Sequence, residues 1–263
     1  MTDAPPLLEV RNLTRRYKLP RQSLLRAPPV LTALEGAAFS LHAGETLGVV
    51  GESGSGKSTL ARLIMAFERP DAGEVLFQGR DLHELQGEEL RKLRRGFQMV
   101  FQDPFDSLNP RRRIGWSIAE PLRANGETEN ITHRVAEALE QVGLHPADAG
   151  KYPHEFSGGQ RQRIAIARAI ITRPALLVAD EAVSALDVSV QAQILNLLMD
   201  LQDDLGLGMV FISHDLAVVG AVCDRVLVLQ HGKTLESGAA ADVLRAPKHP
   251  YTKTLLKAAG VRP

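Results

Sequence analysis

Gly51-Glu52-Ser53-Gly54-Ser55-Gly56-Lys57-Ser58-Thr59 lies between a short β-prone apolar run, Thr46 to Val50, and Leu60 to Ala66, whose apolar residues recur at helical spacing. A glycine-rich turn joining a strand to a helix is the context a phosphate-binding loop requires. Gly51, Gly54 and Gly56 can adopt backbone angles closed to other residues. Successive N–H groups can therefore turn inward around phosphate oxygens at a helix N-terminus, where the helix dipole also favours negative charge. Lys57 adds a mobile positive charge, the Ser58 hydroxyl suits a Mg²⁺ riding on the β and γ phosphates, and Thr59 holds the next turn. The stretch implies that the chain binds a nucleoside triphosphate.

Composition narrows the setting. With 263 residues and 44% hydrophobic content, the chain is long enough for one large domain with a substantial core. Lys plus Arg equals Asp plus Glu at 31 each, so no net field draws in nucleic acid, and none is expected as a partner. Cys223 is the one cysteine, which leaves no internal disulfide or multi-cysteine metal site and reads as a small buried apolar residue. Asp3 and Pro5-Pro6 occupy the place where a signal peptide would be basic and then apolar, and no run reaches the length of a membrane span. A protein not itself embedded in a membrane is expected.

Taken in order, Leu7 to Leu13 reads as a strand leading to Tyr17, and Phe39 to Leu41 as a second strand before the turn His42 to Glu45. Lys18 to Pro29 reads as an exposed loop. Tyr17 either offers its ring to a stacking adenine or is an ordinary strand aromatic. Glu74 to Gln78 between two turns suggests a small antiparallel unit. Arg91 to Arg95 reads as a solvated helix face. Gln98 to Phe101 is a strand that delivers Gln102 at its end, where the active-site groups of open α/β sheets lie. From Asp106 to Pro153 the pattern is helical over Ile114 to Leu122 and Ile131 to Val142, broken at Asn125-Gly126 and Gly143. Ser157-Gly158-Gly159-Gln160 opens a further helix whose N-terminus could meet an anion. The apolar run Ala175 to Ala179 is of parallel-strand type and ends in Asp180 and Glu181, suited respectively to a Mg²⁺ contact and to a general base acting on a water. Met209 to Ser213 is the next buried strand, and it ends at His214, which is placed to meet a γ-phosphate.

The loop Gly51 to Ser58, then Gln102, Ser157 to Gln160, Asp180-Glu181, Ser184-Ala185-Leu186-Asp187 and His214 occur in one order, and that order resembles an ABC transporter ATPase over nearly the whole chain. The resemblance implies a P-loop NTPase core with a RecA-like mixed sheet, an antiparallel β subdomain and a helical subdomain inserted at about 104–168, all within one ATP-binding domain. It assigns the roles of Walker A loop, Q-loop, signature motif, Walker B strand with catalytic Glu181, D-loop and switch histidine. ATP is then held by Tyr17, Gly51 to Thr59, Ser157 to Gln160 and Asp187, and Mg²⁺ by Ser58, Gln102 and Asp180. Gln102 and His214 join Glu181 as catalytic residues. Because the signature turn serves ATP held by an opposite subunit, the implied working unit is a dimer that closes on ATP and drives two membrane permease subunits.

Narrower features are similar to the peptide and nickel importer family, especially its second ATPase subunit: Phe101-Gln102-Asp103-Pro104, Leu108-Asn109-Pro110-Arg111, Ala185 to Gln193, and the tail motif His249-Pro250-Tyr251-Thr252-Lys253 within 231–263. The resemblance implies an importer of oligopeptides or dipeptides, lying at the cytoplasmic face of the bacterial inner membrane and served indirectly by a solute-binding protein. Nickel or another small solute, or a soluble ABC ATPase outside transport, are the alternatives, and the second ATPase could be identical or merely related. Ala182 stands where many members carry proline, and Phe156 where leucine is common.

Overall fold

Residues 5–21, 28–103 and 107–259 are described by the structure, a computed structural model. Residues 22–27 of the expected loop, Pro104, the start of the helical insertion at Asp106 and the end of the tail lie outside them. The chain forms two compact units, Met1–Gln86 with Phe211–Pro263, and Gly87–Val210.

The first unit opens with β1 (Leu8–Lys18) and β2 (Val30–Leu41), followed by β3 (Thr46–Val50), α1 (Lys57–Ile64), β4 (Ala72–Phe77) and β5 (Arg80–Asp81). An antiparallel sheet runs in the order β2-β1-β4-β5. β2 begins nine residues earlier than the three-residue strand read from the sequence, because its first half is largely exposed and carries little alternation. Along β1, Leu8 and Val10 are buried at even positions and Leu13 at an odd one. A register shift between Val10 and Leu13, with Asn12 at φ 47°, inserts the extra residue that returns Leu13 to the core face. Gly73 lies against this bulge: a Cβ there would stand 2.4 Å from the Arg11 carbonyl oxygen.

The second unit holds α2 (Gly87–Leu93), β6 (Phe97–Val100), α3 (Ile114–Ile118), α4 (Glu120–Ala124), α5 (Ile131–Gln141), α6 (Gly158–Ile170), β7 (Leu176–Asp180) and α7 (Val188–Leu205). β8 (Gly208–Ser213) is divided at Val210 between the units. The first unit then continues with α8 (Leu216–Val222), β9 (Arg225–Gln230), β10 (Lys233–Ala239), α9 (Ala240–Arg245) and α10 (Pro250–Ala258).

Within the first unit the larger sheet runs β10-β9-β3-β8. β3 pairs in parallel with β9 from Leu47 opposite Arg225 to Val50 opposite Val228, and all five β3 residues are buried, as a strand covered on both faces requires. The α8 helix packs directly on Gly48, where a Cβ would meet Val219 Cγ1 at 2.5 Å and Cys223 Sγ at 3.0 Å. Cys223 packs here on the strand, but it is half-buried rather than buried as expected, and burial with neighbouring Asp224 pushes its thiol up. Within the second unit, β6 pairs in parallel with β7 from Phe97 opposite Leu176 to Val100 opposite Ala179.

Arginines close the helix ends of the second unit. Arg134 of α5 donates to the Ile171 carbonyl just past α6 (2.8 Å), while Arg163 of α6 donates to the Val142 carbonyl just past α5 (2.7 Å). Each helix therefore satisfies the orphan carbonyls of the other and sets a positive charge at its negative end. Arg168 reaches the Ser107 carbonyl at 2.6 Å and Glu120 at 2.7 Å. The run expected as a solvated helix face is exposed at Arg91, Lys92 and Arg95 but half-buried at Leu93 and Arg94, and it is also bonded: Arg91 donates to the Ala124 carbonyl and Arg95 to that of Asn125 at 2.7 Å, at the end of α4. Arg134→Met should lower stability to urea by about 1–2 kcal/mol, the worth of a charged hydrogen bond to a helix end, with the midpoint moving and the slope unchanged.

Candidate functional site

The phosphate loop runs from the end of β3 to the start of α1. Its floor is crowded. A Cβ on Gly51 would lie 2.2 Å from the Leu229 carbonyl oxygen, and one on Gly56, at φ 109°, would lie 2.5 Å from that of Ala33. Over Gly54, at φ 78°, nothing approaches within 4 Å, so the loop is tight beneath and open above. The Lys57 ammonium, on a residue 5% exposed, donates to the Gly51 carbonyl at 2.7 Å and the Glu52 carbonyl at 3.0 Å. Ser55 N–H donates to the Glu52 carbonyl (3.1 Å), and Gly232 N–H to the Ser55 carbonyl (2.9 Å), which ties the loop to the β9–β10 turn. No side chain caps α1 and no acidic residue lies in its first turn, so its N-terminal N–H groups and the lysine suit an anion. Ser53 and Ser58 are exposed, and Thr59 is half-buried. The loop fits a nucleotide's phosphates, with Ser58 hydroxyl free of the floor.

Elsewhere in this unit, Tyr17 is half-buried on β1. Its hydroxyl donates to Glu68 at 2.6 Å, and the Arg15 guanidinium lies 4.8 Å from the ring centroid. One face of the ring is therefore taken by a cation, and a stacking base would use the other. His214 is exposed immediately after β8. The residues on either side fix its backbone: Asp215 N–H donates to Ser213 Oγ (3.0 Å), and the Asp215 carboxylate caps α8 by accepting from the N–H groups of Ala217 (2.8 Å) and Val218 (3.3 Å).

In the second unit, Gln102 is exposed beyond the end of β6. Asp180 ends β7, and Glu181 follows in the left-handed region at φ 48°. A non-glycine residue there costs about 1–2 kcal/mol and needs local support. The support comes from Ser184, whose N–H and hydroxyl both donate to the Glu181 carbonyl, at 3.1 and 3.0 Å, and from Ala182 and Val183, which are buried in the turn.

Ser157 caps α6. Its hydroxyl accepts from Gln160 N–H at 3.3 Å, while the Gln160 side chain accepts from Ser157 N–H at 2.9 Å, a reciprocal capping box. Asp187 caps α7, accepting from Val190 N–H (3.0 Å) and the Ser189 hydroxyl (2.8 Å), and these donors hold its carboxyl below the usual range. The structure brings these two helix starts together: a Cβ on Gly159 would lie 2.4 Å from Val190 Cγ1, and one on Gly158 3.9 Å from Leu186. Only glycine lets the Ser157 turn approach α7 so closely. The sequence held signals for both caps, since Ser and Asp each stand one residue before a helix, but none for Ser184 or Ser213, whose roles depend on backbone angles.

A phosphate loop between a buried parallel strand and a helix defines a P-loop nucleotide-binding protein. Residues 34–184 match the ABC transporter family, and the chain belongs to that family. It is 49% identical over 263 residues to the glutathione import ATP-binding protein GsiA of Shigella flexneri serotype 5b (strain 8401), and equally to that of Escherichia coli (strain K12); the alignment covers 99% of this chain and 42% of each relative. The chain thus spans about two fifths of the length of the curated relatives it matches. Among solved structures, it is similar to the dimeric ATP-binding cassette MJ0796 in a post-hydrolysis state bound to ADP and Pi (TM-score 0.77, 29% identity, 89% of this chain and 98% of that one). It is also similar to cbiO1 from Clostridium perfringens, part of the ABC transporter complex cbiONQ (TM-score 0.79, 27% identity, 98% of this chain and 95% of that one). Among the described residues no helix is long and apolar enough to cross a membrane.

Ser157→Ala should cost about 1 kcal/mol of stability through the lost cap, and Ser157→Gly only a few tenths, as read by urea unfolding.

Proposed function

We propose that this chain is the ATP-hydrolysing subunit of an ABC importer that takes up small peptides, a class that includes the solute in the name of its relatives. The observation that carries this is the phosphate loop, tight beneath and open above, with a buried lysine at its head, in a chain that matches an import ATP-binding protein at 49% identity over almost its full length. ATP binds with its phosphates against the N–H groups of 54–59 and with Lys57 transferred from the Gly51 and Glu52 carbonyls to phosphate oxygens. Tyr17 packs its free ring face on the base. Ser157 to Gln160 and Asp187 serve ATP held by an opposing subunit, and they do so as one surface, since Gly159 lets the two helix starts touch.

Glu181 is the general base, aimed by its left-handed backbone and held by Ser184. His214 steadies the terminal phosphoryl group, and Gln102 positions the attacking water. Ser58, Gln102 and Asp180 would hold Mg²⁺, which supplies charge neutralisation of the phosphate oxygens. Nucleotide oxygens and water would supply the rest of such an ion's oxygen ligands. The working assembly is two such ATPase subunits, identical or related, on two permease subunits at the cytoplasmic face of the inner membrane, with a solute-binding protein delivering the peptide.

Glu181→Gln should bind ATP normally and form a stable ATP-dependent dimer, while hydrolysis falls about 10²–10⁴-fold. Steady-state phosphate release and light scattering, with the protein alone and mixed with a related ATPase subunit, read this directly. Normal turnover in the variant removes Glu181 from the role. Uptake of labelled di- and tripeptides by the reconstituted transporter tests the solute, and uptake of nickel alone would overturn the peptide assignment.

A further inference from the structure

The tail motif His249-Pro250-Tyr251-Thr252-Lys253 has no role in the reading above, yet the first unit fastens it with unusual care. Glu236 on β10 accepts from the N–H groups of Lys248 (2.8 Å) and His249 (3.0 Å). Burial opposes the charge on Glu236, but these backbone donors help keep its carboxyl below the usual range. His249 caps α10 by accepting from Tyr251 N–H at 3.1 Å, and Pro250 fills the first helical position. Tyr251 is 8% exposed and Thr252 fully buried, so the start of the helix is fixed in place.

From that start, the Tyr251 hydroxyl accepts a hydrogen bond from the backbone N–H of Glu52, at 3.1 Å. This N–H belongs to the Gly51–Glu52 peptide, whose carbonyl receives the Lys57 ammonium at 2.7 Å. One peptide unit is therefore gripped from both ends, by the tail tyrosine and by the lysine that is to meet phosphate. A side chain at Gly51 would strike the Leu229 carbonyl, its Cβ 2.2 Å from that oxygen, so the peptide also lies where the loop packs closely on its floor.

We propose that Tyr251 is a positioning residue of the phosphate loop, fixing the Gly51–Glu52 peptide and with it Lys57, so that nucleotide affinity depends on the docking of the C-terminal helix. The proposal rests on the reading of Gly51 to Thr59 as the nucleotide site. A loop ordered in advance loses less freedom when ligand arrives, which appears as affinity. Because the contact is made whether the phosphoryl group is in its ground or transition state, its loss weakens binding without slowing the bound enzyme.

The test is ATP binding by titration calorimetry and steady-state hydrolysis with full-length protein. Tyr251→Phe, which removes only the hydroxyl, is expected to raise the Kd and the KM for ATP roughly three- to tenfold, the range of one net hydrogen bond, with kcat within about twofold. Glu236→Gln, which loosens the tail without touching the loop, should shift KM the same way. The double variant should be no worse than the more affected single one, since both act through one contact. Wild-type ATP affinity in Tyr251→Phe, or effects of the two variants that simply add, overturns the proposal. Lys57→Ala separates the two readings: if it binds ATP as well as the wild type, the nucleotide site itself has been misplaced.

Discussion

A buried ammonium must be met by oxygen, and Lys57 meets it with the carbonyls of its own loop. That constraint shapes what surrounds it. The carbonyls of Gly51 and Glu52 can face the lysine only if the loop reverses tightly, and the reversal leaves no room for a side chain at Gly51 or Gly56. The loop is held tight between the buried strand β3 that precedes it and the Gly232 N–H that reaches across from the β9–β10 turn. Phosphate oxygens offer the ammonium full charges in place of carbonyl dipoles, so the lysine has a stronger partner to move to.

The second unit answers a different constraint, that of presenting a carboxylate at the end of a buried strand. A residue leaving β7 in the ordinary extended conformation would continue the strand direction; at φ 48° the chain turns sharply at Glu181 instead. The strain is kept local. Ser184 bonds the Glu181 carbonyl twice, and Ala182 and Val183 sink into the core, so the turn is anchored by its backbone and by the residues that follow it. Ala182 at this position gains its fixity from burial rather than from a ring.

Much of this was legible in the sequence because punctuation and function coincide in it. Gly51 to Thr59 must be glycine-rich to fold and to bind, Ser157 must be small and polar to cap α6, and the apolar runs of β3 and β7 can only be buried strands. What stayed hidden was long-range or angular. The first half of β2 is exposed on a sheet edge and lacks a period-two signal. The bulge at Asn12 depends on a single backbone angle. Arg134 and Arg163 carried no local signal that each ends on a carbonyl just past the other's helix. Tyr251, almost two hundred residues from the loop it touches, carried no local signal of that contact.

The packing of Cys223 against Gly48 also has a practical side. The Cys223 thiol is half-buried and is pushed up by burial and by neighbouring Asp224, which lowers the share of the thiolate, the form that attacks alkylating reagents. Cys223 is therefore expected to react with maleimides more slowly than an exposed cysteine introduced elsewhere. Exposed apolar positions such as Val188 at the start of α7, or Phe101 after β6, can each be exchanged for a single reactive cysteine carrying a spin label or fluorophore, with the native residue left in place. Labels at those positions would report on the proposed assembly without any change to the residues that pack around Gly48.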